Sequence, residues 1–209
     1  MDQVTTPNAQ QAPIADDIKI PNAPQSPEVG GGNELLDVNF ILRETVAIQP
    51  GQIVADLGAG GAAYFTMQAA KIVGDQGEVY AVDVVKNTLS SIEGKARMAG
   101  LYNIKTIWSN LEILGATKIP AETLDHALLI NILFQAQKKA DILAEAIRLL
   151  KPGGRLTIVD WSDTKPSFAP SAEMQVDQNE LLSIAEKLNL QLEQQFKAGN
   201  YHFGLIFIK

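Results

Sequence analysis

Short apolar runs alternate with amphipathic stretches through the middle of the chain. The runs have the length of β-strands, and the stretches between them repeat with helical spacing. The predicted strands are Gln52–Leu57, Glu78–Asp83, Asn103–Trp108, Leu124–Ile130 and Arg155–Asp160, and the predicted helices are Ala62–Val73, Lys86–Ala99 and Lys138–Leu150. Strands that alternate with helices in this way predict βαβ units, and continuous apolar strands predict a parallel sheet covered on both faces.

The two ends of this pattern differ from its middle. Before it, Asn33 is a suitable N-cap for a helix over residues 34–48, and Pro50-Gly51 would end that helix.

After the repeating pattern, Asp177 is predicted to cap a helix of about 178–189, with Glu180 in the position of a capping box. The strands Gln191–Lys197 and Tyr201–Lys209 then flank the short link Ala198-Gly199-Asn200. This spacing predicts a hairpin, so the last strand would run antiparallel to the others.

The composition fits one globular domain preceded by a tail. Of the 209 residues, 46% are apolar and 20% are charged. Residues 1–29 contain five prolines and little apolar periodicity, which predicts a disordered tail before a domain over 30–209. The chain has no cysteine and two histidines that lie far apart, so no disulfide, cysteine nucleophile or metal site is predicted.

The charge distribution limits the partners and the location. Residues 1–42 hold six acidic residues and one basic residue, whereas residues 43–209 are nearly balanced, with 18 acidic and 16 basic residues. Nucleic acid is therefore disfavoured as a partner. No apolar run reaches the roughly 20 residues of a membrane span, and the N-terminus lacks a basic region followed by an apolar one. A cytoplasmic location is expected, and the sequence does not indicate an oligomeric state.

The segment around Gly58 and Gly60 is the strongest indication of a ligand site. A buried strand runs into this small-residue loop and then into a helix, an arrangement that lets a ligand approach backbone N–H groups. The next strand ends at Asp83, whose carboxylate can accept hydrogen bonds from ribose hydroxyls.

Two cofactors fit this loop. Gly58-x-Gly60-x-x-Ala63, followed 20 residues later by Asp83, satisfies a dinucleotide fingerprint. Asp56-x-Gly58-x-Gly60 is equally the nucleoside-binding pattern of S-adenosylmethionine enzymes. A carboxylate at the rim would repel a pyrophosphate by about 1–4 kcal/mol at ~4 Å, whereas it would attract the ammonium group of S-adenosylmethionine. The sequence favours the methyl donor.

The chain resembles the class I S-adenosylmethionine-dependent methyltransferases over about residues 30–209. The motifs that carry the resemblance are Val54–Gly60, Val79–Asp83 and the turn Lys151-Pro152-Gly153-Gly154. The resemblance implies an α/β, Rossmann-like three-layer sandwich with a seven-stranded, mostly parallel sheet in the order 3-2-1-4-5-7-6. It also implies S-adenosylmethionine as the cofactor and an antiparallel last strand, in agreement with the hairpin.

The same resemblance implies a set of cofactor-binding residues. They are Asp56, Gly58, Ala59, Gly60, Asp83, Val84, Asn110, Leu111 and Asn131. The first motif would hold the methionine part, Asp83 the ribose, and Val84 and Asn110 the adenine. The chain departs from the usual family pattern at Ala62, which replaces a third glycine, at Asn110, which replaces an acid, and at Phe134, which replaces a histidine.

The acceptor side is predicted from topology. Ligands of open α/β sheets bind beyond the carboxyl ends of the parallel strands, and an antiparallel last strand begins at that edge. Asn131, Asp160, Tyr201 and His202 are therefore the candidate catalytic residues, with Trp161 and Phe168 as pocket candidates, whereas His126 would lie at the opposite edge. The predicted reaction is in-line methyl transfer to a small molecule. A catalytically silent S-adenosylmethionine-binding protein and an NAD-dependent oxidoreductase are the alternatives.

Overall fold

A seven-stranded sheet forms the centre of the protein. The computed structural model describes residues 35–162, 169–171 and 174–209. The strands are β1 Ile53–Leu57, β2 Glu78–Asp83, β3 Ile104–Trp108, β4 Leu124–Ile130, β5 Leu150–Trp161, β6 Gln191–Ala198 and β7 His202–Ile208. Their order is β3-β2-β1-β4-β5-β7-β6. Only β7 is antiparallel to its neighbours β5 and β6, so the predicted order and the antiparallel last strand are confirmed.

Helices cover both faces of this sheet. They are α1 Val38–Phe40, α2 Tyr64–Val73, α3 Lys86–Met98, α4 Lys139–Leu149 and α5 Gln178–Lys187. On one face α2 and the N-terminal segment pack around a core that includes Phe65, and α3 extends this layer through Ile92. On the other face α4 and α5 bury Leu143 and Leu181. The predicted three-layer sandwich is thus confirmed.

The N-terminal helix differs from the prediction. Instead of one regular helix over 34–48, α1 is a single turn capped by Asp37, whose side chain accepts a hydrogen bond from the Phe40 N–H at 2.9 Å. A π-helical turn, Ile41–Thr45, follows it. Apolar anchors hold this segment on the sheet without a continuous helix, since Ile41 and Val46 are each only 1% exposed. The predicted tail over residues 1–29 and the predicted N-cap Asn33 lie outside the described residues.

Two smaller differences concern the C-terminal half. The Lys151–Gly154 turn lies within β5 as an irregularity, because Leu124 pairs with Leu150 whereas His126 pairs with Arg155. Asp177 caps α5 as predicted and accepts from the Asn179 N–H at 2.8 Å.

Glu180 does not complete the predicted capping box but pairs with Lys139 at 3.3 Å. None of the helices among the described residues has the length and apolar character needed to cross a bilayer.

Candidate active site

A cavity of about 670 Å³ opens at the carboxyl ends of the parallel strands. Its size lies within the range typical of small-molecule sites. Eight of the nine predicted cofactor-binding residues line it, namely Gly58, Ala59, Gly60, Asp83, Val84, Asn110, Leu111 and Asn131. These residues come from four different strand ends, so the sheet topology brings together what the sequence keeps apart.

The glycine loop forms one wall of the cavity. The Gly58 and Ala59 N–H groups donate to the carbonyl of Val82 at 2.8 and 3.0 Å, which fixes the loop to β2. Gly58 and Gly60 have φ angles of +90° and +63°, in the left-handed region that favours glycine. A Cβ on Gly60 would have no heavy atom within 4 Å, so the backbone there is open to a ligand.

Asp83 links this loop to the end of β2. Its Oδ2 accepts a hydrogen bond from the Gly60 N–H at 3.1 Å, and its Oδ1 accepts from the Val85 N–H at 2.8 Å. A carboxylate has about four acceptor sites, so lone pairs remain for two further donors. The position and the spare acceptor capacity of Asp83 suit the vicinal hydroxyls of a ribose.

Asp56 lies behind the loop rather than at the rim where the sequence placed it. It is 2% exposed, and its carboxylate accepts a hydrogen bond from the Thr66 hydroxyl at 2.5 Å. Burial raises its pKa to about 6, although the hydrogen bonds from Thr66 act in the opposite direction. Asp56 therefore fastens α2 to β1 and does not line the cavity, and the rim repulsion that was expected to exclude a dinucleotide has no basis here.

The end of β3 supplies the wall expected for an adenine. The Asn110 Oδ1 accepts from the Glu112 N–H at 2.9 Å, which shapes the turn. Ser109 also lines the cavity and is buried, and its hydroxyl has no hydrogen-bond partner among the described residues. Such a group calls for a ligand or water partner. Sequence reasoning missed Ser109, although its place beside Asn110 was a sufficient indication.

The turn after β4 forms the opposite wall. Asn131 has a φ of +54°, and its N–H donates to the Val159 carbonyl at 2.8 Å. The short 3₁₀ turn Leu133–Gln135 follows and brings Phe134 and Gln135 to the cavity. On this side of the cavity the apolar lining, which sequence reasoning largely missed, consists of Ile130, Ile132, Phe134, Ala136, Ile142 and Trp161.

Asp160 holds this turn in place and does not reach the cavity. Its Oδ2 accepts from the N–H groups of Leu133 and Phe134 at 2.9 and 3.3 Å, and its Oδ1 accepts from the Trp161 N–H at 2.9 Å. The side chain is fully buried, and burial raises its pKa to about 6 against the effect of these backbone donors. This geometry supports a positioning role instead of the direct catalytic role expected from the sequence.

Tyr201 and His202 reach the predicted edge but lie outside the main cavity. His202 pairs with Trp161 across β7 and β5, and their ring centroids are 4.3 Å apart. Trp161 lines the cavity and His202 does not. The Tyr201 carbonyl accepts a hydrogen bond from the Ser162 N–H at 2.8 Å. The topology thus brings both residues to the edge where the acceptor was predicted, with the His202 ring packed against Trp161.

The two other residues singled out from the sequence, His126 and Phe168, do not line the main cavity among the described residues. His126 lies at the opposite edge of the sheet, and its Nε2 is 3.0 Å from the Oε1 of Gln52, which suits a structural role. Phe168 lies outside the described residues. Within 35–162, 169–171 and 174–209 no group of three potential metal ligands is found.

Comparison with known proteins identifies the family. The sequence model of the family described as "Methyltransferase domain" matches residues 48–200, which is most of the chain. The chain belongs to the class I S-adenosylmethionine-dependent methyltransferases. The matched range includes the glycine loop, Asp83 and every other described residue that lines the main cavity.

Individual methyltransferases show how far the likeness extends. The chain is 34% identical over 124 residues to the ubiquinone/menaquinone biosynthesis C-methyltransferase UbiE of Erwinia tasmaniensis, covering 59% of this chain and 47% of that protein. The UbiE of Vibrio vulnificus is 33% identical over 127 residues, covering 60% and 46%. The matched region is thus about half the length of these curated relatives.

A solved structure extends the likeness over more of the fold. The crystal structure of a SAM-dependent methyltransferase from Aquifex aeolicus has a TM-score of 0.76 and 26% identity, covering 84% of this chain and 91% of that one.

Proposed function

We propose that this chain transfers a methyl group from S-adenosylmethionine to a small, largely apolar acceptor. The observation that carries the proposal is a single cavity in which the glycine loop and Asp83 face an apolar wall. The loop and Asp83 suit a polar nucleoside, and the wall suits an uncharged organic substrate.

The residues on the nucleoside side fit the methyl donor. The open backbone at Gly60 would admit the amino-acid part, and the spare lone pairs of Asp83 would accept from ribose hydroxyls. Ser109, whose buried hydroxyl has no partner among the described residues, lines the side expected for the adenine. Asn110 and Leu111 complete that side. The bound cofactor supplies an electrophilic methyl carbon on a positively charged sulfur. Asn131, held in a left-handed conformation at the end of β4, would close over that carbon.

The protein's own contribution to the reaction is positioning. Orientation of two reactants supplies roughly 7–11 kcal/mol in favourable cases, so a dedicated base is needed only for an acceptor that arrives protonated. Asp160 fixes the turn that carries Phe134, and with Trp161 this turn would exclude water from the reacting groups. His202 and Tyr201 would act on the acceptor side, behind Trp161.

The proposed class of acceptor is based on the apolar wall of the cavity and on the methyltransferases that the chain resembles. Two relatives are named as C-methyltransferases of ubiquinone/menaquinone biosynthesis, which favours an organic small molecule here as well. The nearly balanced charge of residues 43–209 gives no support to nucleic acid. A cytoplasmic location remains part of this proposal, and cell fractionation would test it.

Titration calorimetry with S-adenosylhomocysteine and, separately, with NAD tests the cofactor assignment. We expect binding of the first and none of the second. Binding of NAD without binding of S-adenosylhomocysteine would refute the proposal. Release of S-adenosylhomocysteine from S-adenosylmethionine in the presence of a panel of apolar aromatic acceptors then separates an enzyme from a protein that only binds the cofactor.

Asp83→Ala tests the ribose contact. Removing a charged acceptor should weaken S-adenosylhomocysteine binding by about 1.5–3 kcal/mol. Asp75→Ala is the matched control, because Asp75 is exposed in the turn between α2 and β2 and does not line the cavity. Equal affinity of the two variants would show that Asp83 does not hold the ribose.

A further inference from the structure

Glu112 connects two walls of the main cavity that come from different parts of the chain. It lies just after β3, next to Asn110 and Leu111 on the side expected for the adenine, and it lines the cavity itself. Its Oε1 accepts hydrogen bonds from the N–H groups of Gln137 and Lys138, at 2.8 and 3.2 Å. These two residues lie between the 3₁₀ turn that follows β4 and the first residue of α4. One carboxylate thus holds the end of the apolar wall against the nucleoside side.

The start of α4 is capped from outside the helix. Its N-cap residue is Lys138, whose ammonium group cannot accept a hydrogen bond and makes no capping contact. In a capping box the N-cap N–H bonds to an acid three residues later, and Asp141 has that position here. The Lys138 N–H instead bonds to Glu112, which lies 26 residues earlier in the chain. The loop between β3 and β4 therefore supplies the acceptor at this helix end, where a carboxylate is also favoured by the helix dipole.

The same loop is fixed at both ends of this connection. The Glu112 N–H donates to the Asn110 Oδ1 at 2.9 Å, so Glu112 follows the position of the adenine side. Further along the loop, the buried carboxylate of Glu145 on α4 accepts from the Gly115 N–H at 2.7 Å and from the Thr117 hydroxyl at 2.5 Å. Of these two carboxylates only Glu112 lines the cavity. A ligand that orders the loop at Asn110 thereby also restrains Glu112.

We propose that Glu112 is a positioning residue that carries the effect of cofactor binding to the acceptor wall. A cofactor on the Asn110 side restrains Glu112, whose carboxylate then holds the start of α4 and the turn that bears Phe134. An acceptor that meets an ordered wall loses less conformational entropy on binding, so the two sites are coupled. This inference rests on the proposed methyl transfer and adds a connection between its donor and acceptor sides. Glu112 acts through Gln137 and Lys138 and not on the reacting atoms.

Amide hydrogen exchange of the full chain, measured by NMR with and without saturating S-adenosylhomocysteine, tests this coupling. The amides of Gln137, Lys138 and Asp141 report on the start of α4, and these residues do not line the cavity, so a ligand there does not cover them directly. The amides of residues 58–60 report on the glycine loop. In the parent we expect S-adenosylhomocysteine to slow exchange at both places, by about fivefold at the start of α4, the equivalent of one hydrogen bond.

Variants then show whether the carboxylate itself is responsible. In Glu112→Ala the ligand should still slow exchange in the glycine loop but no longer at Gln137 and Lys138. Glu112→Gln keeps an acceptor oxygen, so it should retain most of the slowing, and it serves if the alanine variant does not fold. Asp141→Ala is the matched control, because Asp141 is an exposed acid in the first turn of the same helix and does not line the cavity. It should respond to the ligand as the parent does.

Three results would overturn the coupling. They are an unchanged exchange rate at Gln137 and Lys138 when the ligand binds the parent, an equal slowing in Glu112→Ala, and a loss of slowing in Asp141→Ala as large as in Glu112→Ala. The second result would leave Glu112 with a structural role alone, in which exchange is faster with and without ligand by the same factor. Failure of S-adenosylhomocysteine to bind or to slow exchange in the glycine loop would instead contradict the proposed function, because neither measurement involves α4.

Discussion

Gly58 and Gly60 require glycine for different reasons, and alanine substitutions should separate them. Both have positive φ angles, +90° and +63°. A Cβ on Gly58 would lie 2.5 Å from the Cγ2 atom of Ile132, whereas a Cβ on Gly60 would have no heavy atom within 4 Å. Gly58 is thus restricted by its conformation and by a neighbour, and Gly60 by its conformation alone.

The expected losses of stability follow from the backbone conformation and from the contact with Ile132. A left-handed conformation costs an alanine about 1–2 kcal/mol, and an extra carbon in a packed site costs about 1–3 kcal/mol. Gly60→Ala should therefore lower the free energy of unfolding by about 1–2 kcal/mol, and Gly58→Ala by about 2–5 kcal/mol. Gly60→Ala should nevertheless reduce S-adenosylhomocysteine affinity, because its Cβ enters the space left for the ligand.

Ile132→Ala tests whether the contact itself is responsible. This change removes the Cγ2 atom that the new Cβ would meet, so the Gly58→Ala/Ile132→Ala double variant should be about 1–3 kcal/mol more stable than the sum of the single effects predicts. Gly60→Ala combined with Ile132→Ala should be additive within about 0.5 kcal/mol. Urea unfolding followed by circular dichroism measures all five variants. Additivity for Gly58, or equal costs at the two glycines, would refute the argument.

Three further substitutions test the buried polar groups. Asp160→Asn places an amide N–H₂ against a backbone N–H donor, so the free energy of unfolding should fall by about 1–3 kcal/mol. Turnover should fall more than cofactor affinity, and an unchanged turnover would contradict the positioning role. Thr66→Val removes the side-chain hydrogen bond that lowers the pKa of Asp56 and keeps the backbone one, so that pKa should rise above about 6 in carboxyl NMR, and no rise would contradict the side-chain contact. His126 has its pKa lowered to about 4, chiefly by burial, whereas the unfolded chain protonates this ring near 6.5. The unfolded state therefore binds more protons between these values, and this histidine makes stability fall as the pH falls from 6.5 to 4. His126→Gln should remove up to about 3 kcal/mol of that dependence in unfolding measured across this range, and an identical pH profile would contradict it.

The spacing of hydrophobic residues was sufficient to predict most of the strands and helices. Every predicted strand and regular helix between residues 52 and 160 is present, with ends that mostly differ by one or two residues. The prediction of a regular N-terminal helix was wrong because a turn of α-helix followed by a π turn buries apolar residues as well as a regular helix does. Leu36, Ile41 and Val46 are buried in this way. Spacing reports which residues are buried and not which hydrogen-bond pattern buries them.

The site was predictable where function depends on the backbone or on strand ends. The glycine loop, Asp83 and Asn110 follow from their places after strands, and all of them line the cavity. Asp56 and Asp160 also lie near strand ends, but each is the last residue but one of its strand, whereas Asp83 is the last residue of β2. Asp56 pairs with Ala81, so it lies two residues deeper in the sheet than Asp83. Sequence position therefore located these acids at the correct edge and could not tell that they point into the protein.

Asp56 and Asp160 occupy equivalent places on the two sides of the cavity. They lie near the ends of β1 and β5, which flank β4, and burial raises the pKa of each to about 6. Asp56 holds the start of α2, and Asp160 holds the turn after β4. The cavity is thus fixed from behind by two acids that do not line it, while Asp83 alone of the three does. Because the glycine loop and Asp83 lie on other elements than Phe134 and Trp161, changes at Phe134 or Trp161 should alter the choice of acceptor without loss of cofactor binding.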